Sequence, residues 1–261
     1  MAEFCSLFSS SSGNCTYIGG SSGGILIDVG VSAKKTEEAL RMFDYALEMI
    51  KGIFITHEHS DHINGVRVFA SRYHIPVFAS EGTLIGMDKS GVFKSPVDAY
   101  IIPECGTECC GMFIRPFAIS HDANEPTGFT VNTADGKRIA VATDTGIVTD
   151  EERNALSGCD LVLLESNHDI NMLKMGSYPF PLKQRILSDV GHLSNDSCSE
   201  FACELINSGT TRLVLGHLSK ENNIPSLAYE TTKCALTEKG FEIDRDFTLT
   251  VAGDYNEPIK F

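Results

Sequence analysis

The chain has 261 residues, which suits one large domain or two half-sized layers around a shared core. Its 35 acidic and 21 basic residues give a net charge of -14, which argues against a protein that coats nucleic acid nonspecifically. No segment is apolar for long enough to cross a membrane, and the first residues lack a signal-peptide pattern, so we expect a cytoplasmic protein. The nine cysteines have no framework spacing, and we expect free thiols, Cys105 and Cys109 included, rather than zinc ligands.

The first third of the chain predicts two buried strands on either side of one helix. A short apolar strand ends at Asp28. Ser32 is a candidate N-cap for a helix whose apolar residues recur at helical spacing as far as Ile50, and Gly52 is expected to close it. The next buried strand is predicted at residues 53–56.

The rest of the chain alternates predicted strands with helices. The strands are predicted at residues 112–119, 128–133, 137–143, 161–164 and 213–215. Helices are predicted at about 196–207 and 226–239, and a glycine follows each of them. This alternation predicts a layered α/β arrangement with sheets inside and helices outside.

Polar residues fall at one particular place in this pattern. Six predicted strands are each followed by an acidic residue or a histidine: Asp28, His57, His121, Asp144, Glu165 and His217. Apolar strands carry such residues to one edge of the sheets, which is where α/β proteins place their ligand sites. The sequence therefore predicts one polar site at the strand ends.

The run from His57 to His62 has the spacing of a metal-binding loop. His57, His59, Asp61 and His62 supply imidazole and carboxylate groups within six residues. These groups suit divalent ions of the zinc and manganese type, and four ligands are too many for one ion that must keep an open position. Two metal ions bridged by Asp144 fit better. The alternative is a solvated polar loop with structural hydrogen bonds.

These motifs resemble the metallo-β-lactamase superfamily. The His-x-His-x-Asp-His run is that superfamily's signature, and the later His121, Asp144 and His217 match in order. The segments 10–17, 120–128, 164–169, 191–195 and 215–223 look like its YycJ/WalJ branch. The resemblance covers nearly the whole chain and implies a single domain over residues 1–261 with an αββα four-layer sandwich fold. It also implies a metal-dependent DNA exonuclease associated with DNA repair.

The resemblance implies a set of seven metal ligands. They are His57, His59 and His121 for the first metal, Asp61, His62 and His217 for the second, and Asp144 as the bridge. Zn2+, Mn2+ and Fe2+ all suit this donor set. Two such ions supply hydroxide at neutral pH for attack on a phosphodiester, and Asp61 is expected to help orient that nucleophile.

Further residues match positions that act on the scissile phosphate. His192 is implied to contact it and to protonate the leaving oxygen, and Glu165 to orient His192. Ser194 and Asn195 are candidate phosphate donors at a helix N-terminus, with helix capping as the alternative. His168 is expected to act as a neighbouring support or substrate contact, with metal ligation as the alternative.

The segment from Met172 to Arg185 mixes aromatic, proline and basic residues. Lys183 and Arg185 are candidate contacts to phosphates, and the aromatic residues are candidates for stacking on bases. The segment is expected to form a wall of the substrate site, and a packed loop with a basic face is the alternative.

Other activities remain open on the sequence alone. A thioester, lactone or small-molecule phosphodiester hydrolase uses the same metals on the same fold. An RNA-processing nuclease is a further alternative, although the short stretches between His121, Asp144 and His192 leave no room for a large inserted arm or cap domain. A binding module stapled by metals is a non-enzymatic alternative, which an open coordination position disfavours. DNA is favoured over RNA as partner, no membrane is involved, and protein partners are unassigned.

Overall fold

The computed structural model describes residues 1–261. Its strands form two seven-stranded mixed sheets, the first made of β1 to β6 with β14 and the second of β7 to β13. The strands are β1 (Glu3–Ser10), β2 (Gly13–Gly20), β3 (Gly23–Ile27), β4 (Ile50–Phe54), β5 (Val77–Ala79), β6 (Ala99–Ile101), β7 (Thr107–Cys109), β8 (Met112–Ala118), β9 (Thr127–Asn132), β10 (Arg138–Ala142), β11 (Leu161–Glu165), β12 (Arg212–Gly216), β13 (Thr248–Val251) and β14 (Ile259–Lys260).

Nine α-helices accompany the sheets. They are α1 (Ala33–Met42), α2 (Ser60–Ile63), α3 (Val66–Tyr73), α4 (Glu81–Lys89), α5 (Asp150–Leu156), α6 (Ile170–Met175), α7 (Phe180–Ile186), α8 (Asn195–Asn207) and α9 (Pro225–Glu238). None of these helices combines the length and apolar character that a membrane crossing requires. All nine cysteines are free thiols.

The chain divides into two compact units. The first consists of Met1–Pro116, Ala123–Lys137 and Gly253–Phe261, and the second of Phe117–Asp122 and Arg138–Ala252. The single domain expected over residues 1–261 stays a prediction.

The first unit is built on the sheet with strand order β14-β1-β2-β3-β4-β5-β6. Strands β1 to β3 are antiparallel, whereas β3 to β6 run parallel. Every residue of β3 is buried, as expected for a strand covered on both faces. Leu26, Ile53 and Ile55 join the apolar core of this unit. Because β3 and β4 are parallel, the residues that follow them, Asp28 and His57, emerge at the same sheet edge.

The second unit contains the parallel strands β10 to β13 in neighbouring positions. Its core combines Ala142, Leu164 and Leu215 from the strands with Leu205 of α8 and Leu236 of α9. The parallel arrangement brings the carboxyl ends of β10, β11 and β12 to one edge. The polar residues that follow those strands therefore lie close together.

The long helix predicted from Ser32 to Ile50 is wrong in its second half. Ser32 is the N-cap, as expected, but α1 ends at Met42 and Asp44 adopts the left-handed region with φ 59°. Leu47–Met49 forms one 3-10 turn, and Ile50 already begins β4 with Gly52 inside that strand. The apolar spacing continues past α1 because Leu47 and Ile50 pack on the same core as the helix.

Gly30, three residues after β3, closely approaches the backbone of the loop that contains Asp61. A Cβ at Gly30 would lie 1.6 Å from the carbonyl oxygen of Asp61 and 2.7 Å from the amide nitrogen of Asn14. Both neighbours are backbone atoms, so neither can turn away as a flexible side chain would. Only glycine allows this approach.

Replacing Gly30 with alanine is expected to displace the loop and lower the free energy of unfolding by about 1–3 kcal/mol. Thermal unfolding of the metal-free protein measures the change. Gly20→Ala is the matched control, because its Cβ would be 3.6 Å from the nearest backbone atom, an ordinary contact. Equal melting temperatures for Gly30→Ala and Gly20→Ala would contradict the close approach.

Candidate metal centre

Three residues at strand ends have a left-handed backbone that non-glycine residues rarely adopt. Asp28 follows β3 with φ 61°, Asp144 follows β10 with φ 62°, and His217 follows β12 with φ 55°. Such a conformation persists only where the surrounding structure fixes it, and it concentrates at functional sites. In each case it turns a polar side chain away from the direction of its strand.

The first unit holds four of the predicted ligands in one short loop. His57 lies three residues after the end of β4, His59 is the N-cap of α2, and Asp61 and His62 lie in the single turn of α2. The ring centroids of His57 lie 4.6 Å from His59 and 4.1 Å from His62. Candidate ligand atoms of His57 and His59 lie within 4.8 Å of one another, and so do those of Asp61 and His62.

Asp28 and Thr56 fix the orientation of two of these imidazoles. Both oxygens of the buried Asp28 carboxyl accept hydrogen bonds, Oδ1 from the Thr56 N–H and Oδ2 from the Thr56 hydroxyl, each at 2.9 Å. Nδ1 of His62 lies 2.8 Å from the same Oδ2. The Thr56 hydroxyl donates its one proton to Asp28. In the 3.1 Å contact between this hydroxyl and His57, the donor must therefore be the Nδ1–H of His57.

Burial raises the pKa of Asp28, and the charge of His62 opposes that rise. The side-chain amide of Asn14 lies 3.1 Å from His62 Nε2, so this nitrogen already faces a donor.

The second unit gathers its polar residues around the carboxylate of Glu165. Oε1 of Glu165 lies 2.8 Å from Nδ1 of His192 and 2.9 Å from Nδ1 of His217. Oε2 accepts from the main-chain N–H groups of Thr145 at 2.8 Å and Leu193 at 3.2 Å. All four lone-pair positions of the carboxylate are therefore used inside the protein.

This arrangement shifts the pKa of Glu165 and the pKa of His192 in opposite directions. Burial raises the pKa of Glu165, but the charges and hydrogen bonds of His192 and His217 outweigh it and the pKa falls to about 2. Burial lowers the pKa of His192, but the adjacent Glu165 carboxylate outweighs it, so the pKa of His192 is raised. The Glu165 carboxylate therefore stabilises the protonated form of His192.

Asp144, the predicted bridge, lies beside the same cluster. Its Oδ1 is 3.2 Å from Nδ1 of His217 and 3.8 Å from Nδ1 of His192 and from Nε2 of His121. Candidate ligand atoms of Asp144, Glu165, His192 and His217 all lie within 4.8 Å of one another.

The donor set fits divalent metal ions. Nδ1 of His121 lies 3.1 Å from the carbonyl oxygen of Gly191, which only accepts, so Nδ1 carries the proton. His57, His62 and His217 are likewise held at Nδ1, by Thr56, Asp28 and Glu165. Each of the four imidazoles then has its lone pair on Nε2, and a second protein group that fixes the tautomer is the usual support of metal-binding histidines.

The predicted phosphate donors have protein partners. Ser194 is the N-cap of α8 and accepts from the Ser197 N–H, which favours the capping alternative. Asn195 is 1% exposed. Its oxygen accepts from Ser166 and Asn223, and its amide nitrogen donates to Asn223. The Asn195 side chain therefore acts within the interior rather than at a surface.

The basic residues of the 172–185 segment also have partners. Nζ of Lys183 donates to the carbonyl oxygens of Lys174 and Gly176, at 2.8 and 2.7 Å. Arg185 forms a two-point ion pair with Asp122, the residue after His121, and one of its hydrogen bonds measures 2.9 Å. Both side chains therefore hold this segment in place. Two of its apolar side chains are exposed, Met175 at 87% and Phe180 at 71%, whereas Leu173 is fully buried.

His168 has no hydrogen-bond partner on either ring nitrogen and is 1% exposed. Burial lowers its pKa to about 4, so the ring is neutral at physiological pH. A neutral buried imidazole keeps one donor and one acceptor for a ligand.

Sequence patterns missed the partners of these residues. Thr56 and Thr145 each adjoin a predicted ligand, His57 and Asp144, but a single threonine has no signal of its own. Gly191 contributes a carbonyl oxygen, which no side-chain motif reveals. A polar residue at the end of an apolar strand was the one available sign for Thr56.

Known proteins of similar sequence or structure indicate the family of this chain. The family model described as a β-lactamase superfamily domain matches residues 24–218. The exodeoxyribonuclease YycJ of Bacillus anthracis is 37% identical over 249 residues, covering 95% of this chain and 94% of that protein. The exodeoxyribonuclease WalJ of Streptococcus pneumoniae is 39% identical over 251 residues, covering 95% and 93%.

Among solved structures, the metallo-β-lactamase fold protein YhfI of Bacillus subtilis has a TM-score of 0.72 and 14% identity, covering 99% of this chain and 98% of that one. This similarity confirms the αββα metallo-β-lactamase fold that the sequence predicts. Given the extent of these matches, the chain belongs to the metallo-β-lactamase superfamily of metal-dependent hydrolases, in the branch of the exodeoxyribonucleases YycJ and WalJ.

Proposed function

We propose that this protein is a two-metal-dependent phosphodiesterase that acts as a DNA exonuclease. The observation that carries the proposal is the Glu165–His192 pair, in which a buried carboxylate holds a histidine with a raised pKa. A proton-bearing imidazole suits a reaction that releases an alkoxide, because that leaving group needs a proton. The two exodeoxyribonucleases that match 95% of the chain support DNA as the substrate, and a role in DNA repair and a cytoplasmic location belong to the same proposal.

The proposed ligands are the seven positions that match the superfamily. His57, His59 and His121 would hold the first metal, Asp61, His62 and His217 would hold the second, and Asp144 would be shared. Zn2+, Mn2+ and Fe2+ remain the candidate ions. Bound there, the two ions supply a hydroxide at neutral pH and positive charge near the phosphate.

The remaining steps belong to side chains of the chain itself. Glu165 holds Nδ1 of His192, so the opposite nitrogen, Nε2, donates to the leaving oxygen. Asp61 would help orient the attacking hydroxide by accepting a hydrogen bond from it. His168 supports the neighbouring site or contacts the substrate, because its ring nitrogens have no protein partner, whereas the amide of Asn195 is occupied. Lys183 and Arg185 support the wall of the site through their contacts with Gly176 and Asp122.

The Asp28 carboxylate generates a prediction about metal affinity. Asp28→Asn keeps the side-chain shape and tolerates the left-handed backbone, but it weakens the acceptor that fixes His62 Nδ1. We expect the affinity for Zn2+ to fall about 10–100-fold. Competition titration of the metal-free protein with a chelating dye measures it.

Asp44→Asn is the matched control for this change. Asp44 has the same left-handed backbone with φ 59°, and its side chain is exposed. The affinity of Asp44→Asn should equal that of the unmodified protein. Equal affinities for the two variants would remove Asp28 from the support of the metal site.

His192 generates a prediction about cleavage. His192→Ala should retain two metal ions per chain and lower kcat for release of nucleotides from labelled DNA ends about 10²–10⁴-fold, because the leaving oxygen loses its acid. Metal analysis and a nuclease assay on 5′- and 3′-labelled single- and double-stranded DNA are run on the same preparations. His74→Asn, at an exposed left-handed position, serves as the control.

The outcomes of this assay separate the alternatives. Loss of one metal ion in His192→Ala would make His192 a ligand rather than an acid. This outcome is considered because Nδ1 of His192 lies 3.8 Å from Oδ1 of Asp144, a proposed ligand. Preferred hydrolysis of labelled RNA, thioesters or lactones over DNA would replace the proposed substrate with one of the alternative classes.

A further inference from the structure

Thr145 connects the Glu165 cluster with a second buried carboxyl group on α5. The main-chain N–H of Thr145 donates to Oε2 of Glu165 at 2.8 Å. Its Oγ1 lies 3.0 Å from the carbonyl oxygen of Ile147 and 3.0 Å from Oε2 of Glu152. Thr145 and Glu152 are both 0% exposed, so the two contacts lie in the protein interior.

The Thr145 hydroxyl faces two acceptors, Ile147 and Glu152, but has one proton for them. A hydroxyl group has one proton to donate, and a carbonyl oxygen only accepts. When the Thr145 proton goes to Ile147, the contact with Glu152 is a hydrogen bond only if Glu152 is the donor. An ionised Glu152 would compete with Ile147 for the same proton and leave one acceptor unsatisfied.

The surroundings of Glu152 favour the same neutral form. Burial raises the pKa of Glu152 to about 7, and the Thr145 contact opposes part of that rise. Glu165 on β11 raises the pKa further, whereas the main chain of Thr149 and the charge of Arg153 on α5 lower it. Arg153 is itself paired with Glu204 of α8 at 3.1 Å.

Oε1 of Glu152 has no hydrogen-bond partner. A bare buried oxygen is far less costly on a neutral acid than on a carboxylate.

We propose that Glu152 is a positioning residue that acts as a neutral carboxylic acid, donating through Oε2–H to Thr145 and so holding the loop that orients Glu165. The effect on catalysis rests on the proposed function of the Glu165–His192 pair, whereas the protonation of Glu152 does not. Ionisation of Glu152 draws the Thr145 proton from Ile147 and adds a second negative charge near Glu165. The loop between β10 and α5 then loses a hydrogen bond, and His192 loses part of its fixed geometry.

Glu152→Gln tests the neutral state, because its side-chain NH2 donates to Thr145 as the acid does but cannot ionise. The folded pKa of Glu152 lies above its ordinary value of 4.5, so its stabilising contribution is complete below pH 4.5 and is lost as the pH rises through about 7. Between pH 5 and 9 the metal-free protein should therefore lose about 5 °C or more in Tm beyond the loss shown by Glu152→Gln. Glu151→Gln, at the exposed neighbouring position, should follow the unmodified protein. Identical pH profiles for the unmodified protein and Glu152→Gln would overturn the proposal.

The second readout is the pH profile of kcat for cleavage of labelled DNA. Glu152→Gln should match the unmodified protein at pH 6 and move its alkaline limb upward by about one pH unit. Glu152→Ala, which removes the donor, should lower kcat at pH 6 with little change in KM. An unmoved alkaline limb in Glu152→Gln would overturn the positioning role. Absence of nuclease activity in every variant, including the unmodified protein, would instead remove the proposed function while the Tm profiles still decide the protonation of Glu152.

Discussion

The carboxylate of Glu165 accepts four hydrogen bonds in a fully buried position, and the order of the second unit's polar residues depends on it. Two of the donors are imidazoles, of His192 and His217, and two are main-chain N–H groups. A buried carboxylate is costly unless such donors replace its water. Removing any one donor would leave the buried charge with too few hydrogen bonds, so the four groups stabilise one another's positions. The anion thus fixes the orientation of a proposed ligand and of the proposed acid together.

The first unit contains a simpler version of the same arrangement. Asp28 accepts from the Thr56 backbone and hydroxyl and binds Nδ1 of His62. In both units a carboxyl group at the end of a parallel strand fixes the tautomer of a histidine. A rigid strand end reproduces such geometry better than a flexible loop, because the sheet already restrains the backbone on one side.

Much of this arrangement could be predicted from the sequence, and its limits have physical causes. Apolar runs ending in polar residues predicted the strand ends, because β-structure has a strong and local pattern. The end of α1 was missed, because Leu47 and Ile50 pack on the same core and prolong a helical spacing that the backbone does not follow. The left-handed backbones of Asp28, Asp144 and His217 were missed as well, since they follow from tertiary restraint rather than from local preference.

The hydrogen-bond partners of the site residues could not be predicted from the sequence either. The roles expected for Ser194 and Asn195 depended on which groups they face, and the structure gives both of them protein partners. A motif predicts that a residue type is present, whereas its burial and partners decide which of its atoms a ligand can reach.

Glu152 and Glu165 show how environment divides one residue type into two functions. Both are fully buried, but Glu165 has four donors, and its pKa falls to about 2. Glu152 has one oxygen without a hydrogen-bond partner, and its other oxygen competes with Ile147 for the single proton of the Thr145 hydroxyl. Its pKa rises to about 7. The neutral carboxyl group of Glu152 supports the ionised carboxylate of Glu165, because two neighbouring buried anions would repel each other. The charge on Glu165 comes from its four donors, and on our proposal a neutral Glu152 holds Thr145 in place as one of them.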